Sequence, residues 1–422
     1  MVNFKRFELD NGLKVVLHKD EDSTLVAVNV LYNIGSKNED PEMTGITHLF
    51  EHMMFTGTQL VPDIDDLLQN AGGENNAFTN ADYTNYYSYA PVNNLGLLMA
   101  IEADRMFQLQ LTKEKFKIQK NVVIEEFFET CLNQPYGDVW HLLSGMAYKN
   151  HHYQWPTIGK NPEHIKNIDL KDLIKFYDYY CPNNAILSIG GNIDYDEVEA
   201  EVRRLFGAVP AKEFSKNLPQ TEPVQIGNRS QTVHRNVPTP ALYIGFAMPE
   251  RSHIDYYILD MLTDYFAEGE GSFLWKRLVK KEQIFSYIDT WVVGSADPGL
   301  LVIEGKLSEG MRFDTAIEQV KKAVSDSIRE LSDREIGKIK NRIRTNLIQS
   351  RTNILSKTIS LAFFEMLGDI DLINREEEIY RSISKSDMVN CAIKYLDFNR
   401  CNTLIYDVNP QMADVSPTIN PD

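Results

Sequence analysis

Cysteine is scarce in this chain, and the little there is stands apart. The four cysteines, Cys131, Cys181, Cys391 and Cys401, form no C-x-x-C pair. That spacing excludes a disulfide framework and a cysteine-built zinc site. Long apolar runs are missing too. None approaches the roughly 18 residues of a membrane helix, and the start, MVNFKRFELDNG, has no apolar signal-peptide core. The expectation is a soluble protein without membrane insertion, cytoplasmic, or periplasmic if a signal peptide has been removed. Positive charge is in deficit: 43 basic residues face 60 acidic ones, for a net charge of −17. This balance disfavours nucleic acid and anionic membranes as partners and suits neutral or basic polypeptides.

What is present is ordinary for a globular chain. Hydrophobic residues make up 43% and charged residues 24% of 422 positions, enough for more than one domain with its own core. FKRFELDNGLKVVLHKD reads as two short strands around an Asp10-Asn11-Gly12 turn. Thr24 to Gly35 alternates and is rich in β-branched residues, a third strand. A polar loop follows, then a helix with Thr44 as its expected N-cap and an end near Gly57. NNAFTNADYTNYYSYAP predicts a strand pair turning at residues 80–82. Helical periodicity runs over 92–110, 113–130 and most of 134–147, and Ala185 to Asp194 closes the half as a strand.

Residues 211–235 are polar and helix-poor and read as a linker. The second half repeats the order: a strand at ALYIGFAMP, a helix at HIDYYILDMLTDYFA, a strand pair at SYIDTWVVGSADPGLLVIEGKL, and long helices over 313–332 and 334–367. LIKFYDYYCPNNAILSIGGNID matches CAIKYLDFNRCNTLIYDVNP, which makes the repeat explicit. The expected fold class is α+β: two similar lobes of about 200 residues, each a mainly antiparallel sheet packed against helices. The expected boundaries are 1–210, linker 211–235, and 236–422 as a catalytically degenerate repeat.

The chain is organised around MTGITHLFEHMMFTGT. His48 and His52 lie four residues apart, about 400° of helical rotation and about 6 Å along the axis, so both leave one face. Two imidazoles so placed can share one metal ion. Glu51 flanks the same face, where it can hold and deprotonate a water polarised by that ion. Catalytic zinc takes a third protein ligand, commonly a carboxylate. Glu125, Glu126 and Glu129 on the helix KFKIQKNVVIEEFFET are candidates, and spacing alone does not separate them. His151 and His152 are adjacent rather than helically spaced and read as packing residues, while Trp155, Pro156 and Gly159 read as a structural turn.

H-x-x-E-H, the NNAFT strand, the NVVIEE helix, the WPTIGK segment and the FYDYYCPNNA stretch together resemble the pitrilysin family of zinc peptidases, in particular its short, processing-peptidase-like subfamily. The resemblance implies one zinc per chain, with Glu126, 74 residues past His52, as third ligand and Glu129 as fallback. It implies Glu51 as the base. The family's supporting glutamate falls on Gln119, an amide that carries no charge. Asn76, Ala77, Phe78 and Thr79 match the edge strand to which family members add the substrate peptide. An Arg–Tyr pair from the second lobe is not matched: one register gives Val279 and Ser286, another gives Lys280 with Tyr287. The resemblance therefore implies a zinc-dependent endopeptidase acting on peptides or unfolded segments. Its partner would be a homologous subunit that supplies the Arg–Tyr pair, or a second copy in a homodimer where Lys280 and Tyr287 suffice. The alternative is a non-catalytic, core-protein-like assembly subunit on the same fold.

Overall fold

The computed structural model describes residues 1–409. Two sheets form the frame. The first holds β1 (Lys5–Glu8), β2 (Lys14–Lys19), β3 (Leu25–Tyr32), β4 (Glu74–Thr79), β5 (Thr84–Pro91) and β6 (Ala185–Gly191), in the order β1-β2-β6-β3-β5-β4. The second holds β7 (Arg229–Arg235), β8 (Ala241–Ala247), β9 (Phe285–Val292), β10 (Leu300–Leu307) and β11 (Asn402–Val408), in the order β7-β11-β8-β10-β9. Replacing β2 to β6 by β7 to β11 turns one order into the other, so the repeat legible in the sequence is a repeat of topology. Each sheet is antiparallel except for one parallel pair, β2 with β6 and β7 with β11. The α+β expectation of two similar lobes stands.

The division of the chain is not sequential. One compact unit comprises Met1–Phe128, Asn150–Thr221 and Thr345–Glu377; the other comprises Glu129–Lys149, Glu222–Arg344 and the chain from Glu378. Each half thus lends a segment to the other's sheet, which departs from the expected division at 210 and 236. The physical reason lies in the strands. β3 is buried from Val26 to Tyr32 and β6 throughout, so both faces of these strands need cover. The helix Ile354–Met366 provides one layer, packing Leu361, Ala362 and Phe364 among its buried residues against β3 and β6. Gly190 allows the approach: a Cβ there would stand 2.3 Å from Thr358 Oγ1. In the second unit the corresponding cover is the helix Val139–Ala147, which lies on β8 and β11 and is held by Arg229 Nη1 donating to the carbonyls of Met146 (2.9 Å) and Ala147 (2.7 Å).

Three local expectations are corrected. The polar stretch 211–235 is not all linker, because its last seven residues form β7, paired in parallel with β11. The helix expected over 334–367 breaks between Ser350 and Ile354, where the Asn353 side chain accepts from the backbone N–H of Leu355 and Ser356 and starts a new helix. The helix expected over 113–130 ends at Phe127 and runs into a π-helical turn, Phe128–Leu132.

Candidate metal centre and peptide cleft

Three helices of the first unit build the site, α1 (Ile46–Met53), α2 (Ile64–Asn70) and α4 (Lys113–Phe127), and α3 (Leu95–Gln108) lies between the last two in the chain. One side of α1 is core, with Ile46, Leu49, Phe50 and Met53 buried and the Phe50 ring stacked 4.2 Å from that of Tyr180. His48, Glu51 and His52 take the other side. The entry into α1 is sharper than the sequence predicts. Gly45, not Thr44, precedes the helix, at φ +91°, and a Cβ there would meet Ile158 O at 2.8 Å. The cap comes from a distant carboxylate. Glu39, 1% exposed, accepts from the backbone N–H of Gly45 (3.0 Å) and Thr47 (2.9 Å) and from Trp155 Nε1 (3.1 Å). Burial pushes its pKa up to about 7 against the pull of these donors. Thr44 instead meets His164 Nδ1 at 2.9 Å. Trp155 thus belongs to a structural turn, as expected, and that turn braces the motif helix.

Glu126 reaches the histidines from α4. Its Oε2 lies 3.8 Å from His48 Nε2 and 3.4 Å from His52 Nε2. The two imidazole rings stand nearly perpendicular, with centroids 4.8 Å apart. Among the described residues, these are the three side chains whose ligand-type atoms converge, all within 4.8 Å of one another. Zinc bound at about 2.0–2.1 Å in a tetrahedron places neighbouring ligand atoms about 3.3 Å apart. The two imidazole nitrogens and the carboxylate oxygen therefore fit that ion without large rearrangement. The protonation states of His48 and Glu126 fit as well, and His52 gives up its proton when a metal binds. Burial pushes His48 down to about 4, keeping it a neutral donor. Burial also lowers His52, but its hydrogen bond to Glu126 and the charges of Glu126 and Glu51 outweigh this and raise it. Glu126 is lowered, chiefly by the hydrogen bond to His52.

Glu51 is raised by burial. Its carboxylate accepts a hydrogen bond from the Thr79 hydroxyl, at the end of β4. β4 is the last strand of its sheet, bonded on one side to β5, and its residues alternate between exposed (Glu74, Asn76, Phe78) and half-buried (Asn75, Ala77, Thr79). Between β4, α1, α2 and α4 opens a cleft of about 550 Å³, lined among others by Glu51, His52, Phe55, Leu68, Asn76 and Gln119. Gln119 sits two turns before Glu126 and hydrogen-bonds His52. An amide thus occupies the supporting position and still makes a contact to a histidine.

Of the residues singled out in the sequence, His48, Glu51, His52, Glu126, Gln119, Asn76 and Thr79 come together around this cleft. Glu129 does not join them: it is exposed in the π-helical turn after α4 and belongs to the second unit. Lys280 is exposed at the end of the turn Trp275–Lys281, also in the second unit. Tyr287, on edge strand β9, donates to Asp289 Oδ2 at 3.1 Å. Arg277, the one arginine of that stretch, is held by Glu282 (3.1 Å) and Asp326 (2.6 Å). Glu39 and Phe55 escaped the sequence reading. Glu39 sits in the polar loop GSKNEDPEMTG, where acidic residues look solvated, and only its tertiary burial reveals it.

Residues 14–161 match the model of insulinase, peptidase family M16, and residues 167–343 match that of the peptidase M16 inactive domain. The chain is 27% identical over 406 residues to zinc protease PqqE of Helicobacter pylori, covering 94% of this chain and 91% of the relative. It is 27% identical over 361 residues to an uncharacterized zinc protease, YmxG, of Bacillus subtilis, covering 84% and 86%. A crystal structure of a protease from Helicobacter pylori superposes with a TM-score of 0.92 at 26% identity, covering 96% of this chain and all of the other. A putative M16-like peptidase from Alicyclobacillus acidocaldarius shares the fold at 18% identity, with a TM-score of 0.83 and coverage of 97% and 99%. The stretch that matches the inactive domain includes the helix Ile254–Ala267, which stands in the second half where α1 stands in the first and has no histidine. With both family domains present in order and the histidine pair in the first, the chain belongs to peptidase family M16, the pitrilysin family.

Proposed function

We propose that this chain is a zinc-dependent endopeptidase that hydrolyses peptides or unfolded polypeptide segments, with one zinc held by His48, His52 and Glu126. The observation that carries the reading is the convergence of those three ligands with Glu51 beside an edge strand. When bound, zinc supplies Lewis-acid polarisation of the scissile carbonyl and of the attacking water. The rest falls to the chain's own residues. Glu51 takes a proton from water as its oxygen adds to the carbonyl carbon; the same proton goes to the amide nitrogen as the C–N bond breaks. β4 offers an edge to which an extended peptide adds as a strand, with Asn76 and Ala77 beside its backbone and Phe55 and Leu68 under its side chains. His52 is oriented by Gln119.

We also propose that a homologous subunit completes the site. Arg277 is committed to Glu282 and Asp326, and Tyr287 to Asp289, so this stretch of the second unit offers no ready Arg–Tyr pair for the developing oxyanion. The test is direct. Metal analysis of the purified chain should find about one zinc per chain. The chain should cleave an unstructured peptide weakly alone and faster with a homologue that carries the pair. Absence of zinc after supplementation, or zinc without cleavage in either arrangement, would sink the enzyme reading. Full activity alone, lost in Lys280→Ala, would replace the two-subunit enzyme by a homodimer.

A further inference from the structure

Glu51 has a partner that its own helix does not supply. The Thr79 hydroxyl donates to Glu51 Oε2 from the last residue of β4. Alternation along β4 turns Asn75, Ala77 and Thr79 inward, and the two ends of that inner row are both tied down. Asn75 Nδ2 donates to Asp65 Oδ1 on α2 (3.1 Å). Thr79 pairs with Thr84 across a tight turn, in which Asn80 N–H donates to Tyr83 O (3.0 Å) and Asn80 Oδ1 accepts from the N–H of Asp82 (2.8 Å) and Tyr83 (2.9 Å). That turn is in turn fixed to the loop before α1, where Ser36 and Lys37 N–H donate to the carbonyls of Asn80 (3.1 Å) and Ala81 (3.0 Å). Thr79 is therefore a rigidly carried donor, aimed at the carboxylate of a longer side chain with more torsions to fix.

A threonine hydroxyl has one proton to give. Given to Oε2, it leaves the other carboxylate oxygen to accept the proton of the attacking water. Without it, no hydrogen bond from the described residues fixes the terminal torsion of Glu51, which is intrinsically broad. We propose that Thr79 is the positioning residue of the base: it sets which oxygen of Glu51 works, and because it rides on the edge strand, a peptide that adds to β4 holds the base at the same time. This inference rests on the reading of Glu51 as the base of a peptidase. It assigns Thr79 to the base rather than to the side-chain contacts of the peptide.

Thr79→Val keeps the β-branched shape and removes the donor, and Thr79→Ser keeps the donor. The full zinc-loaded chain, paired with its complementing homologue where that raises activity, is assayed for kcat, KM and zinc content with an unstructured peptide. In Thr79→Val, kcat should fall about 10- to 100-fold while KM stays within about twofold and zinc is retained. Thr79→Ser should keep kcat within about threefold. In a Glu51→Gln background, single-turnover rates should show no further loss from Thr79→Val, since the two act as one unit. An unchanged kcat in Thr79→Val, a loss confined to KM, an equal loss in Thr79→Ser, or loss of zinc or folding in Thr79→Val each overturns the proposal while leaving the peptidase intact. A wild-type chain that cleaves nothing, or a Glu51→Gln chain as active as wild type, overturns the peptidase reading and this inference with it.

Discussion

At the scale of single residues, the third ligand is the assignment most worth a mutation. Glu126→Gln removes the charge that faces both imidazoles and should leave the chain nearly free of zinc after dialysis against a weak chelator. Glu129→Gln, at an exposed position, should keep about one zinc per chain. Atomic-absorption measurement separates the two, and equal loss in both would contradict the geometry. Titration of the metal-free chain adds a second check. Glu126 is lowered from 4.5, so its share of stability is present above that value and is lost as pH falls through the folded pKa. His52 is raised from 6.5, so its share is full below that value and is lost as pH rises through the folded pKa. His48 has the opposite sign. Between 6.5 and about 4 the unfolded chain takes up a proton that the buried ring refuses, so stability falls on acidification over that window. His48→Gln should flatten that acid slope in urea melts of chelated protein, and an unchanged slope would show that His48 is not the buried neutral ring described. His48, Glu51 and His52 were legible because a helix converts four-residue spacing into proximity. Glu126 was not separable from its neighbours by spacing, since its distance from the histidines is set by how α4 crosses α1. Glu39 was invisible for a related reason: a cap supplied from six residues before the first capped amide, and made effective by a tryptophan far along the chain, leaves no local pattern.

At the scale of elements, alternation along β4 and the β-rich stretches of β3, β6 and β8, apolar but for Asn29 in β3 and Ser188 in β6, were readable, because the period of a strand and its burial both write themselves into sequence. Breaks inside helical stretches were less so. Asn353 ends one helix and caps the next, yet in a run of helix-compatible residues one asparagine gives a weak signal. The helix it starts is the element on which the first sheet depends. Leu361 is fully buried against that sheet, so Leu361→Ala should cost about 2–5 kcal/mol of unfolding free energy. Ile118→Ala, on the exposed side of α4 at 54% exposure, should change it by no more than about 0.5 kcal/mol. Chemical denaturation at constant m-value measures both. A small effect of Leu361→Ala would mean that the helix is a loosely attached cover and not part of the core. The same helix also holds polar ties to the start of the chain, with Lys357 paired to Asp20 and Glu365 accepting from Arg6 Nη2 at 2.9 Å.

At the scale of the whole molecule, the sequence shows a repeat but hides an exchange. Each half writes the shared five-strand pattern, the first with β1 in addition, while a helix that covers each sheet is borrowed from the other half, and nothing in a helix's own apolar face says which sheet it will meet. The exchange has a mechanical consequence. Residues 345–377 pack with the first sheet although they lie beyond the stretch joining the halves, and residues 129–149 pack with the second although they lie before it. Cutting the joining stretch therefore severs no packing within either unit. Leu218 and Val224 are exposed at 74% and 80%, so a protease site inserted between them should be cut in the native protein. The two fragments should then elute together at the size of the uncut chain on a native column and separate only in denaturant. Each exposes buried strand faces when alone: the first fragment would lose the cover of β3 and β6, the second that of β8 and β11. For the same reason residues 1–210 expressed by themselves should aggregate, and co-expression with the remainder should restore solubility. Fragments that part on a native column, each soluble and folded, would show that the borrowed helices are dispensable and that the halves are independent domains after all.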